Sequence, residues 1–210
     1  GWAPVLEGYR NARDAAQRAL ELAPDLAEAH VRLSAIQRLH DWDWNGAEAS
    51  ARRALELAPG SVVALSSAGS LAHMLCRFEE EEGILRRAVE QDPLSMGVYS
   101  SLGLLYRSMG RLSDAERAFR KVIELSPQRI GARHVLGIIL ADQGRDAEAL
   151  AEASSEQAEW ARLTALAYVH HVAGRSSESD EALRDLEAKH AVDSAYQIAA
   201  IHSARGEVDA

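Results

Sequence analysis

The chain has 210 residues, and its 47% apolar content can bury enough surface to offset chain entropy, which excludes disorder. The formal net charge is −9, with Arg and Lys scattered among carboxylates, so a nucleic-acid partner is excluded for this segment. No apolar run approaches bilayer length, the first residues carry no leader pattern, and Cys76 is the lone cysteine, so no intrachain disulfide forms. The default expectation is a cytoplasmic protein without a membrane-inserted segment.

Ala and Leu dominate the chain, and both favour helices. In chain order, the first predicted helix closes on Ala19-Leu-Glu-Leu-Ala-Pro24. The same phrase returns at Ala54-Leu-Glu-Leu-Ala-Pro59, and in weaker form at Ala88 to Pro93 and Val122 to Pro127. These prolines stand 35, 34 and 34 residues apart. A proline fits there because one helix has just ended and the next is about to begin.

The unit 94–127 reads most clearly. Tyr99, Leu102, Gly103 and Tyr106 share one helix face; Gly110 breaks that helix; Ala115, Phe119 and Val122 repeat the spacing on a second one. Gly103 and Ala115 are small where two backbones must approach, and Phe119 fills the space between them. This pattern and its period resemble the tetratricopeptide repeat family, a helix–turn–helix unit. The resemblance implies an all-α, right-handed solenoid of about six such repeats and about twelve helices, forming a single superhelical domain over 1–210.

The expected units are approximately 1–25, 26–59, 60–93, 94–127, 128–158, 159–191 and a partial 192–210. In the unit ending at Pro93, Leu65, Gly69, Leu85 and Ala88 keep register, but Glu81 replaces the family's usual Ala and Cys76 its turn Gly. After Pro127, Arg133, Leu136, Gly137, Leu140, Gly144 and Ala149 continue it, with Ala153 where a larger residue is usual. The turn glycines Gly144, Gly174 and Gly206 then stand only 30 and 32 residues apart. A short or irregular second helix is therefore expected near Ser154 to Glu159, with Trp160 opening the next pair. The final Gly206-Glu207-Val208-Asp209-Ala210 matches the start of a second helix, and Gly1-Trp2 lacks Met, so a fragment of a longer protein is expected.

The unit 26–59 carries one extra residue within Asp41-Trp-Asp-Trp-Asn-Gly-Ala-Glu48. That phrase, with Trp44 three residues before Ala47, resembles tetratricopeptide regions attached to bacterial adenylate cyclases and winged-helix transcription regulators. Ala195-Tyr-Gln-Ile-Ala199 resembles the same group. The resemblance implies a sensory or scaffolding module whose output domain lies elsewhere.

In this family the first helices line a groove, which places Val31, Ala35 and Arg38, then Ser66, Ser70 and His73, then Ser100, Leu104 and Arg107, then His134, Ile138 and Ala141 along it. Such a groove accepts an extended peptide or a helix of a partner protein, and Arg38, His73 and Arg107 would favour a ligand carboxylate. The opposing reading is an ordinary solvated face. The Lys-Asn-Arg clamp that relatives use for acidic C-termini is missing, since Val31, Ala35, Ser67 and Ser70 stand at its positions. Two readings compete with a binding module: a substrate-recruiting arm of an enzyme such as a protein glycosyltransferase, and a homo-oligomer anchored by Trp2, Trp42 and Trp160. The first is disfavoured by Ala35, Ser70, Leu104 and Ile138, which stand where that class resembles an asparagine ladder.

Nothing points to catalysis, a cofactor or a metal. No Gly-Lys-Ser/Thr loop, Cys-x-x-Cys pair or Gly-x-Ser-x-Gly elbow occurs. His170 and His171 diverge by about 100° on a helix and cannot share one ligand face. His170 and His202 are equivalent in successive pairs and are expected to pack. Glu79 to Glu82 read as a solvated helix start, where carboxylates suit the dipole. Cys76 reads as a small inert turn residue.

Overall fold

The computed structural model describes residues 3–207, and all the regular structure within them is helical. In order, the helices are α1 (Ala3–Leu22), α2 (Ala27–Ile36), α3 (Trp44–Leu57), α4 (Val62–Met74), α5 (Phe78–Gln91) and α6 (Met96–Ser108). They continue as α7 (Leu112–Leu125), α8 (Ala132–Asp142), α9 (Asp146–Ser154), α10 (Glu159–Val172), α11 (Ser176–His190) and α12 (Ala195–Ala204). The chain divides into two compact units, the first ending at Val98 and the second beginning at Tyr99, both in the first turn of α6.

The first helices α4, α6, α8, α10 and α12 end in the same way. A residue in the left-handed region follows each, and after α4, α6, α8 and α10 the next residue opens the second helix. Gly110, Gly144, Gly174 and Gly206 fill this place with φ of 71–77°, and Cys76 fills it at 54°. The residue after it donates its N–H five residues back: Arg77 to Ala72, Arg111 to Tyr106, Arg145 to Leu140 and Arg175 to His170, at 2.8–2.9 Å. The left-handed residue itself bonds three back, as Gly110 does to Arg107 at 3.0 Å. Together these are a Schellman motif, which satisfies carbonyls that the helix end would otherwise orphan.

In the first unit, α2 pairs with α3 and α4 with α5. Ser34 Oγ donates to the Ala47 carbonyl at 2.8 Å, and Ala47, Ala54, Leu65, Leu85 and Ala88 are fully or almost fully buried. The extra residue is absorbed one step earlier than the Trp phrase suggests. Gln37–Asp41 widens into a single π-helical turn, and Trp42 takes the left-handed position at φ 56°. Trp44 starts α3 with its ring 6.0 Å from that of Trp42, edge to face.

In the second unit, α6 pairs with α7, α8 with α9 and α10 with α11. A Cβ on Gly103 would lie 2.5 Å from the Phe119 ring, so the glycine is required for that ring to fill the pair, and Phe119 is 3% exposed. Gly137 serves a closer approach: its Cβ would meet the Ala149 carbonyl at 3.1 Å and the Ala153 nitrogen at 3.3 Å. Ala153 is small because backbone, not a ring, lies opposite.

The shortened period has a local cause. α9 stops after nine residues, and Glu156 stands in the connection to α10 with 3% exposure. One carboxylate oxygen accepts the Gly131 N–H at 3.0 Å and the His134 N–H at 3.3 Å; the other accepts the Ala158 N–H at 3.2 Å. One side chain thus caps the starts of α8 and α10.

Candidate functional site

The second unit holds an open cleft of about 620 Å³ between the first helices α6, α8, α10 and α12. Its lining follows one register. Leu104, Ile138, Tyr168 and Ala200 each stand six residues before the left-handed turn glycine, and His134, Thr164 and Tyr196 each stand ten before it. Leu104 is 45% exposed and Tyr196 81%, so the mouth presents apolar surface to solvent.

One end of the cleft is polar and internally paired. Arg107 Nε donates to Asp142 Oδ2 at 2.8 Å, and the Tyr168 hydroxyl donates to Asp142 Oδ1 at 2.6 Å. The guanidinium carbon lies 5.8 Å from the Tyr168 ring centroid, within cation–π range. Burial works against the charge on Arg107, but Asp142 more than offsets it and raises the pKa above the usual value. The Tyr168 hydroxyl is pushed upward by burial and by its bond to Asp142.

His134 forms the opposite wall. Its ring meets Trp160 edge to face at 6.1 Å, and its Nε2 is buried without a hydrogen-bond partner. Burial lowers its pKa to about 4, against the pull of Glu156, so the ring is neutral at pH 7.

The expected groove residues divide accordingly. Leu104, Arg107, His134 and Ile138 come together in this cleft. Ser100 is half-buried on α6 outside its lining, and Ala141 is buried. In the first unit, Val31 is a correction: at 6% exposure it packs with Ala54 and Ala64 rather than facing a groove. The reason is local: Ala54 on α3 and Ala64 on α4 close over the side chain. Ala35 lines a different cleft of about 430 Å³ between α1 and α2, walled by Ala12, Ala16, Ala19 and Leu39. Arg38 is half-buried with its Nη1 2.9 Å from Met74 Sδ, and burial lowers its pKa. Ser66 is half-buried on α4, and Ser70 is exposed with its hydroxyl bonded to the Ser66 carbonyl at 2.9 Å.

His73 is engaged with Glu81, their Nδ1 and Oε2 atoms being 2.9 Å apart. Glu81 corrects the solvated reading of its acidic run, because it is 3% exposed at the place that Ala47, Ala115 and Ala149 fill elsewhere. Trp160 is also corrected: it is half-buried against the α10–α11 core and is no exposed anchor. Trp42 is 69% exposed, while Trp2 lies outside the described residues. His202 is held between Glu187 at 3.0 Å and Glu207 at 2.8 Å, and His170 lines a separate cleft against α11. Among the described residues no three His, Cys, Asp or Glu side chains gather as a metal site, and no helix is long and apolar enough to cross a membrane.

Asp142, Thr164, Tyr168 and Tyr196 escaped the sequence reading. Its groove stopped at Ala141, where the 34-residue period ends. Counting back from Gly174 and Gly206 instead of forward from the prolines finds the last three.

Residues 101–163 match the tetratricopeptide repeat family model. No curated protein sequence matches the chain. Among solved structures, PilW, described as a widely conserved type IV pilus biogenesis factor, superposes with a TM-score of 0.78 at 19% identity, covering 93% of this chain and 91% of PilW. A tetratricopeptide repeat protein from Parabacteroides merdae gives 0.77 at 19% identity, covering 97% and 83%. YrrB, described as a tetratricopeptide repeat protein with an unusual peptide-binding site, gives 0.62 at 17% identity, covering 92% and 99%. The chain has the all-helical fold of these repeat arrays, and its segment 101–163 matches the tetratricopeptide repeat family in sequence.

Proposed function

We propose that this chain is a protein-interaction module that holds a peptide or helix of a partner protein in the α6–α8–α10–α12 cleft, within a larger bacterial signalling or regulatory protein. The observation that carries this reading is the cleft itself: about 620 Å³, walled by the same register positions of four helices, with Leu104 exposed at its mouth. Such a groove suits a segment whose side chains repeat along it. YrrB, with the same fold, is a precedent for peptide binding on this scaffold. The wider setting rests on the Asp41-Trp-Asp-Trp44 phrase and its resemblance to the arrays of cyclases and regulators.

The test is capture from native cell extract by the wild-type chain and by Leu104→Arg, with helicity checked by circular dichroism. Leu104 is exposed, so the variant keeps its fold. A specific protein retained by the wild type and lost by the variant supports the reading. Equal recovery by both moves the working surface elsewhere. Self-association around Trp42 and Leu39, which are 69% and 47% exposed, is then the reading to examine, by light scattering against concentration.

A further inference from the structure

We infer that the α6–α8–α10–α12 cleft selects an uncharged, apolar peptide segment and rejects acidic ones, a conclusion that rests on the docking role proposed above. Arg107 is the charged residue of the lining, and a lone guanidinium in a groove ordinarily invites a ligand carboxylate. Here that charge is already spent. Asp142 takes the Nε donor at 2.8 Å and is fixed from its other oxygen by the Tyr168 hydroxyl at 2.6 Å, so the cleft carries its own counter-ion.

A ligand carboxylate would have to leave water, sit beside Asp142 and find no uncompensated cation. Moving a charge from water to such a place is costly unless a new partner repays it. An uncharged segment meets none of these penalties. Leu104, Val135 and Ile138 supply apolar surface for a side chain. Two hydrogen-bonding points lie beside them. His134 Nε2 is buried and lacks a partner, and an imidazole ring can donate or accept there according to its tautomer. Arg107 Nη2 makes only a 3.5 Å contact to the Tyr168 hydroxyl, which leaves it room for a peptide carbonyl. Asp142 therefore acts as a positioning and selectivity residue, holding Arg107 as an aimed donor rather than a free cation.

The experiment is selection of a phage-displayed random linear peptide library on the full chain at pH 7, with Leu104→Asp, which adds no cation, as counter-selection. Peptides that survive only on the wild type are synthesised with capped ends, and each central apolar residue is replaced by Glu. The expected result is recovery of sequences poor in Asp and Glu, with the Glu replacement weakening binding about tenfold or more. Asp142→Asn, which removes the counter-ion from Arg107, should reduce that penalty or invert it. Leu104-dependent peptides rich in Asp and Glu would overturn the inference while leaving the docking site intact. So would an unchanged Glu penalty in a folded Asp142→Asn chain. Peptides that bind the wild type and Leu104→Asp equally, or no peptides at all, would sink the docking site and this inference with it.

Discussion

Two side chains break the repeat at the residue scale, and each leaves a measurable cost. Cys76 takes the left-handed turn at φ 54°, where four other turns use glycine. A Cβ there is disfavoured by roughly 1–2 kcal/mol. Cys76→Gly should therefore raise stability by about 1 kcal/mol after the extra chain entropy of glycine is discounted; an unchanged or lower denaturation midpoint would show that the turn is not strained. Glu81 is the second. Burial raises its pKa, and the bond to His73 pulls the other way without cancelling the effect. A raised carboxyl pKa means the fold favours the protonated form. The contribution is fully present below the unfolded value and lost as pH rises through the folded one. At neutral pH the carboxylate is thus a burden. Glu81→Ala, restoring the residue buried at the same place in three other pairs, should stabilise by about 0.5–2 kcal/mol at pH 7.5. That advantage should shrink on acidification toward pH 4.5. A variant less stable than wild type at every pH would mean that the His73 bond outweighs the desolvation. Both anomalies were legible as departures from the repeat; that Glu81 is buried was not, because three neighbouring glutamates made the run look solvated.

At the scale of elements, the helices and their turns were readable because period, proline and turn glycine agree with one another. The π turn at Gln37–Asp41 was readable only as one surplus residue. The short α9 was visible as a shortened period, yet its compensation was not. Glu156 lies outside any helix in a polar stretch and carries no motif. Its role arises because α8 and α10 begin near one another, with N–H groups and positive dipole ends that one carboxylate can satisfy. Glu156→Ala leaves three backbone donors without that acceptor, and should cost about 2–4 kcal/mol. Hydrogen exchange should accelerate first at the amides of Gly131, His134 and Ala158. If those amides keep their protection while the melting temperature falls, the carboxylate acts through something other than the caps.

For the whole molecule, the fold was legible because each repeat restates it, whereas the site was legible only in part. Register alone gave Leu104, Arg107, His134 and Ile138. It could not reveal that Arg107 meets Asp142 and Tyr168, 35 and 61 positions away, since that pairing depends on how first helices stack. The net charge of −9 says nothing about a cleft whose own charges are matched inside it. Every lining residue of that cleft belongs to the second unit, so its integrity should depend on that unit's core. Leu85 and Leu136 are both essentially fully buried leucines, one in each unit. Truncating either to Ala should cost about 2–5 kcal/mol by leaving a cavity. Their effects on ligand affinity should differ. At a temperature where both variants stay folded, Leu85→Ala should change the affinity for a cleft-bound peptide by no more than about twofold, as for an independent site. Leu136→Ala loosens α8 beneath His134 and Ile138, and should weaken it further. Equal weakening by both would mean that the first unit's core also shapes the cleft, and that the array must be treated as one cooperative element in binding as well as in stability.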